Sequence, residues 1–269
     1  MKVFVCIKQV PAITEVKVDS KTGLLVREGI PGMINPMDKN ALELALRIKQ
    51  DIGAEIISIS MGPPQAEEVL REALAIGVDR AYLLSDRKFA GADTLATSHT
   101  IALAIEKILV DSNPKESYLI ICGSQALDGD TAQVGPEIAE ELDIPQITYV
   151  QAIKKVNNDK IIAESVFRPD EVVVLESKLP ALITVLKQIN TPRYPKISGI
   201  VDAFDQKEVS YLNADELNAD EAKIGLNGSK TQVWRIFVPK AKGEYKKLSG
   251  STEEMVGKLC KYLKEDKVL

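Results

Sequence analysis

Residues 118–136 have the sequence YLIICGSQALDGDTAQVGP, in which an apolar run ends in a glycine-rich acidic loop. Tyr118–Cys122 is typical of a buried strand, and the helix that follows the loop carries Ile138 and Leu142 on one face. Pro136 has no N–H and therefore fits only in the first turn of this helix. A strand, a loop and a helix in this order predict one unit of an α/β fold, with the loop at the carboxyl end of its strand.

The same alternation fills the first two-thirds of the chain. Further strands are predicted at Val3–Val10, Ile56–Ser60, Ala81–Leu84 and Leu182–Leu186, and helices at Asp38–Lys49, Gln65–Ile76 and Thr94–Leu109. A small hairpin is predicted at Val16–Val18 and Leu24–Arg27, and a β-meander at Ala152–Val156, Ile161–Phe167 and Val172–Glu176. These elements predict an α/β fold with a doubly wound, mainly parallel sheet, helices on both faces and an added meander.

The last part of the chain has a different character. The polar stretch Asn213–Lys230 has little periodic hydrophobicity, and an amphipathic helix is predicted at Glu253–Leu263. A tail that cannot build a core of its own suggests an extended C-terminal arm folded on another protein; the alternative is a tail that wraps its own domain. We therefore expect an α/β domain at residues 1–190 and an arm at residues 191–269.

Composition excludes several classes of protein. The 269 residues carry a formal net charge of -5, which argues against nucleic acid as a partner, and they contain no apolar run long enough to span a membrane. Three cysteines without a CxxC pair suggest a reducing, cytoplasmic compartment. The single histidine, His99, rules out a zinc site with several histidines, and we predict no metal ligand and no catalytic side chain. Redox chemistry would therefore require a bound cofactor.

Three segments are candidate ligand sites. Residues Gly123–Gly135 could present backbone N–H groups to a phosphate at the start of a helix; the alternative is a plain acidic turn. Residues Gly91–Ser98 combine small side chains with hydroxyl groups that suit a flat ring, although Asp93 is also a natural N-cap. Residues Asn35–Asp38 alone predict only a helix start. Neither GxxxxGK[ST] nor GxGxxG occurs, so the lysine that grips phosphate in P-loop ATPases is missing.

These segments resemble the beta-subunit family of electron transfer flavoproteins. The likeness covers nearly the whole chain and includes Val5–Pro11, Asn35–Asp38, Met61–Ala66, Ala73–Asp79, Gly123–Pro136, Leu179–Ala181 and Pro192–Tyr194. The chain departs from the family pattern at Asp170-Glu171-Val172, where the family shows an acidic turn with glycine. The resemblance implies a Rossmann-like, adenine nucleotide-binding domain that works in a heterodimer, whose large (alpha) subunit holds the electron-transferring FAD.

The resemblance also implies a second nucleotide on the small subunit. In ordinary members it is a structural AMP, whereas in electron-bifurcating members it is a second FAD that takes hydride from NADH. One electron then goes to ferredoxin or flavodoxin, and the other passes through the large-subunit FAD to an acyl-CoA dehydrogenase-type partner. Gly91–Thr97 and Asp128–Gly135 are similar to the bifurcating branch. The residues expected to bind this nucleotide are Cys6, Asn35, Pro36, Met37, Asp38, Met61, Asp93, Thr94, Thr97, Gly123, Gln125, Ala126, Asp128, Gly129, Asp130, Thr131, Ala132, Gln133 and Val134.

Two other functions remain open: an ordinary electron carrier with AMP, and a nucleotide-sensing module related to stress proteins of similar fold. The resemblance further implies a recognition loop at Pro195–Ile200 that contacts the dehydrogenase partner. Prolines 192 and 195 are expected to hold this loop extended. Ile197 would be its apolar anchor, with Tyr194 and Ile200 beside it.

Overall fold

The computed structural model describes residues 1–12, 31–112, 116–232 and 247–268. The hairpin predicted at Val16–Val18 and Leu24–Arg27 lies outside these residues. The strands of the described residues are β1 (Lys2–Cys6), β2 (Gln9–Pro11), β3 (Gly32–Ile34), β4 (Glu55–Met61), β5 (Arg80–Leu84), β6 (Tyr118–Gly123), β7 (Gln146–Val156), β8 (Lys160–Arg168), β9 (Glu171–Lys178), β10 (Ala181–Val185) and β11 (Val209–Leu212). The helices are α1 (Pro36–Ile52), α2 (Glu67–Ile76), α3 (Thr94–Ser112), α4 (Val134–Glu141), α5 (Ile197–Asp205), α6 (Gly225–Gly228) and α7 (Thr252–Glu265).

Nine strands form one sheet in the order β11-β5-β4-β1-β6-β10-β7-β8-β9. The pairs from β11 to β7 are parallel, and the pairs β7–β8 and β8–β9 are antiparallel. Strands β2 and β3 form a separate antiparallel pair. The predicted α/β class, the mainly parallel sheet and the meander are therefore confirmed.

Strand β1 lies at the centre of the sheet and is buried on both faces. Val3 and Val5 pack into the core formed with α1 and α2, whereas Phe4 and Cys6 pack into the core formed with α3 and α4. A strand covered on both sides loses the usual polar alternation, which explains why the sequence shows a continuous apolar run here.

The order in which strands are added to the sheet reverses at β1. Strands β4 and β5 follow on one side of β1, while β6 lies on the other side and pairs with β1 in register from Lys2↔Tyr118 to Cys6↔Cys122. The connections that leave the carboxyl ends of β1 and β6 therefore diverge and open a crevice between them. In open α/β sheets such a switch point is where ligands bind.

Three elements of the tail were not predicted from the sequence: β11, α5 and the single-turn helix α6. Strand β11 extends the main sheet by pairing with β5 from Val209↔Ala81 to Leu212↔Leu84. Helix α5 packs on α2, where Gly199 lies so close to the carbonyl of Ala75 that a side chain has no room.

Arg71 fastens the end of α5 to α2. Its guanidinium donates to the carbonyl oxygens of Ala203 and Lys207, both at 2.6 Å. Residues 197–229 thus pack on their own domain, whereas α7 has no buried residue. The division of the chain at residue 190 stays a prediction. Along the described ranges, no helix combines the length and apolarity needed to cross a bilayer.

Shortening the chain tests whether residues 191–232 belong to the folding unit. Cutting after Asn190 removes the buried side chains Leu212, Leu217 and Ile224. Burial of each such side chain contributes about 1.5–3 kcal/mol, and a domain has a total stability of only about 5–15 kcal/mol. We expect the 1–190 chain to unfold at a much lower temperature than the 1–232 chain, as measured by circular dichroism. Equal midpoints would show that the domain ends at residue 190.

Candidate functional site

Asp38 joins the two strand ends that border the crevice. Its carboxylate accepts hydrogen bonds from the backbone N–H of Lys8 at 2.8 Å and of Gly123 at 3.2 Å, one after β1 and one at the end of β6. The side chain is buried, and burial raises the pKa of Asp38 to about 7, although these hydrogen bonds act to lower it. Gly123 must lack a side chain here because Asp38 and Met37 occupy the space.

Asn35 holds the start of the acidic loop. Its side-chain amide donates to the carbonyl of Gln125 at 2.9 Å, and its side-chain oxygen accepts from the N–H of Leu127 at 3.0 Å. Next to it, Pro36 opens α1, and the sulfur of Met37 accepts a hydrogen bond from Ser124 at 2.8 Å. Residues Asn35–Asp38, which the sequence alone predicted only as a helix start, therefore also hold the loop in place through hydrogen bonds.

The loop from Gly123 to Val134 is compact at its base and exposed at its tip. The N–H of Asp130 donates to the carbonyl of Ala126 at 2.9 Å, and the side chain of Gln125 donates to the carboxylate of Asp130. Asp130 and Ala132 have φ angles of 53° and 55°, in the left-handed region. This conformation costs roughly 1–3 kcal/mol for a residue other than glycine, and such strain is concentrated at functional sites.

Helix α4 starts at the end of this loop. Its first backbone hydrogen bond runs from Glu137 to Gln133, and the N–H groups before Pro136 have no acceptor within the helix. The hydroxyl of Thr94, at the start of α3, donates to Glu137 at 3.1 Å and lies 3.5 Å from the side-chain oxygen of Gln133. The structure therefore brings Thr94 to the helix start at which the loop ends. Thr97 lies one turn further along α3 and is partly exposed.

Two cysteines lie at the ends of the strands that border the crevice. Cys6 and Cys122 are register partners at the ends of β1 and β6, and both are buried. The hydrogen bond with Cys6, together with burial, raises the pKa of the Cys122 thiol well above its usual value. Met61 ends the neighbouring strand β4 and packs against the same core. The two thiols are thus part of the core beneath the strand ends that border the crevice.

Asp93 has a structural role that the sequence did not reveal. One carboxylate oxygen accepts from the N–H of Ala96 at 3.1 Å, which is the predicted N-cap of α3. The other accepts from the N–H groups of Lys230 and Thr231 at 2.8 and 2.9 Å and from the Thr231 hydroxyl. Asp93 therefore fastens the tail to the edge of the sheet that carries the crevice. Its assignment as a cofactor ligand stays a prediction.

The end of the loop, at the start of α4, has features that suit a phosphate. Free N–H groups at a helix start favour an anion through both hydrogen bonding and the helix dipole. A side chain on Gly129 would meet no protein atom nearer than the ammonium of Lys8 at 4.0 Å, so this position is open to a ligand. Residues Gly123, Ala126, Asp128, Thr131 and Val134 all belong to this loop, and the described geometry fits a nucleotide phosphate beside them.

Removing the Asn35 side chain should loosen the loop without unfolding the domain. Asn35→Ala breaks both hydrogen bonds to the loop backbone, each of which contributes about 0.5–1.5 kcal/mol. We expect faster hydrogen–deuterium exchange in residues 123–134. The matched control is Asn40→Ala, because Asn40 is equally buried but binds the carbonyls of Lys187 and Asn190. Equal hydrogen–deuterium exchange of residues 123–134 in both variants would show that Asn35 does not hold the loop in place.

Comparison with known proteins agrees with this architecture. Residues 22–217 match the model of the electron transfer flavoprotein domain. Over its full length the chain is 48% identical to the full-length electron transfer flavoprotein subunit beta of Thermoanaerobacterium thermosaccharolyticum. It is 47% identical to subunit CarD of the caffeyl-CoA reductase-Etf complex of Acetobacterium woodii and 38% identical to the acryloyl-CoA reductase electron transfer subunit gamma of Anaerotignum propionicum, again over the full length of each chain. The chain therefore belongs to the electron transfer flavoprotein family, as a small subunit of the beta type.

Proposed function

We propose that this chain binds a second FAD in the crevice between β1 and β6 and is the bifurcating subunit of a heterodimeric electron transfer flavoprotein. A beta subunit implies an alpha-subunit partner. Bound here, a flavin would accept hydride from NADH and pass one electron to ferredoxin or flavodoxin and one, through the large-subunit FAD, to an acyl-CoA dehydrogenase-type partner. The observation that carries the proposal is the strained loop at the switch point, held by Asn35 and Asp38.

The names of two relatives support a reductase partner. CarD is named as a subunit of a caffeyl-CoA reductase complex, and the Anaerotignum propionicum protein as an electron transfer subunit of acryloyl-CoA reductase. Both names refer to enzymes that act on CoA thioesters. The likeness of Gly91–Thr97 and Asp128–Gly135 to the bifurcating branch supports FAD over AMP.

The side chains of this site bind and orient the cofactor. The N–H groups of Thr131 to Val134 would hold a phosphate, and Asn35 and Asp38 keep the loop in place from behind. The hydrogen bond with Cys6 and burial raise the pKa of the Cys122 thiol and keep this thiol uncharged. Thr94 and Thr97 would contact the ring system, and Asp93 fixes the start of the helix that carries them.

Helix α5 is the proposed docking surface for the dehydrogenase partner. The sequence placed Ile197 and Ile200 in an extended loop, whereas the structure places them in a helix because Gly199 and Ala203 pack against α2. Ile197, Ile200, Val201 and Phe204 are exposed at the i, i+3, i+4 and i+7 spacing of one helix face, and Tyr194 precedes them at 92% exposure. An apolar stripe of this kind is typical of a surface that binds a partner.

The nucleotide content of the purified heterodimer tests the proposed cofactor. We expect two FAD and little AMP per dimer, because each subunit would hold one flavin. Acid extraction followed by chromatography measures both nucleotides. One FAD and one AMP per dimer would instead identify an ordinary electron carrier, and ATP would favour the nucleotide-sensing alternative.

Truncating the most exposed residue of the α5 stripe tests the docking surface. Ile197 is 84% exposed, and burying an isoleucine against a partner contributes roughly 1.5–3 kcal/mol, so Ile197→Ala should weaken docking by about ten- to a hundredfold. Flavin content and NADH oxidation with an artificial acceptor should stay normal. Val110→Ala is the control, because Val110 is also exposed but lies on α3. If Ile197→Ala releases the large subunit or the flavin, this residue belongs to the internal interface instead.

A further inference from the structure

A phosphate at the tip of the loop would be surrounded by negative charge. Asp128 and Asp130 are both exposed on the loop. Backbone N–H groups carry only partial charges, so they offset part of the charge of a nucleotide that arrives among these carboxylates. A full positive charge is therefore needed close to the loop.

Within the part of the chain that the structure describes, the cation in contact with this loop is Lys8. Its ammonium lies 2.7 and 2.9 Å from the two carboxylate oxygens of Asp128. Two lysines near this edge of the sheet pair away from the loop: Lys39 with Glu72 at 2.9 Å, and Lys88 with Asp215 at 3.0 Å and Glu221 at 2.9 Å.

The position of Lys8 is fixed at its backbone and adjustable at its end. The backbone N–H donates to Asp38 at 2.8 Å, which fixes the backbone from which the side chain extends, two residues after β1. The ammonium borders the open position beside Gly129, at 4.0 Å. Its ion pair with Asp128 is about half exposed, at 48% and 40% of the two side chains, and a pair of this kind contributes little to stability.

We propose that Lys8 is a phosphate ligand of the nucleotide and that Asp128 holds it beside the loop until the nucleotide binds. This inference rests on the proposed function and adds to it a specific cation. On binding, the ammonium exchanges the carboxylate of Asp128 for a phosphate oxygen, which accepts a charge-assisted hydrogen bond in its place. No covalent bond changes.

The alternative is that the pair of Lys8 and Asp128 only shapes the loop. The two explanations predict opposite effects for Asp128→Asn. If the pair shapes the loop, Asp128→Asn and Lys8→Met weaken binding alike, and they weaken adenosine as much as its phosphates. If Lys8 binds phosphate, Lys8→Met weakens binding, whereas Asp128→Asn leaves binding unchanged or tighter, because it frees Lys8 and removes a negative charge.

Calorimetric titration distinguishes the two explanations for the pair of Lys8 and Asp128. The full chain, purified with its large subunit and depleted of nucleotide, is titrated with adenosine, AMP and ADP at fixed ionic strength. We expect Lys8→Met to weaken AMP and ADP by roughly tenfold or more while adenosine is unchanged. Lys8→Arg should recover most of the loss, since it restores the charge. Lys39→Met changes the net charge equally and should have no effect.

Two results would overturn the inference. Equal losses for Lys8→Met and Asp128→Asn, or wild-type affinity for AMP and ADP in Lys8→Met, would reject Lys8 as a phosphate ligand and leave the nucleotide site intact. If the wild-type chain binds none of the three ligands, the proposed function fails and the role of Lys8 fails with it.

Discussion

The carboxylate of Asp38 is the constraint on which the site depends. It accepts one hydrogen bond from the backbone after β1 and one from the end of β6, so a single side chain at the start of α1 fixes both edges of the crevice. Burying this carboxylate is costly, which is why its pKa rises to about 7. The geometry in turn demands glycine at position 123, because Asp38 and Met37 fill the space beside it. The direction in which the loop leaves β6 follows from these contacts.

Local patterns were enough to predict most strands of the sheet and most of its helices, although the predicted strand Val3–Val10 is divided into β1 and β2. The continuous apolar run of β1 and the position of Pro136 in the first turn of α4 have local causes, namely burial on both faces and the missing N–H of proline. Helix α5 and strand β11 could not be predicted in this way. Ala203 is the buried residue of α5, and β11 has four residues of which Val209 and Leu212 are buried. Their stability comes from α2 and β5, more than 100 residues earlier in the chain.

The same distinction between local patterns and contacts of distant residues applies to the site. The loop, its helix start and the segment Asn35–Asp38 were recognised from residue type and from family resemblance. The sequence alone gave Asn35 no function beyond a helix start, because its partners Gln125 and Leu127 are about 90 residues away. The contact of Lys8 with Asp128 has the same origin, since parallel strands bring the ends of distant segments together. Strand order, rather than any local motif, would have been the signal for these contacts.

Strand β11 also determines how the two proposed functional surfaces are related. Helix α5 lies against the end of α2, on the amino edge of the sheet, where Lys207 donates to the carbonyl of Val78 at 2.8 Å. From there β11 runs parallel to β5 towards the carboxyl edge, where Asp93 holds Lys230 and Thr231 beside α3. The tail is thus hydrogen-bonded at both edges and between them. The distance from α5 to the crevice is therefore set by sheet pairing, so the proposed docking surface and the proposed nucleotide site would lie at a fixed separation.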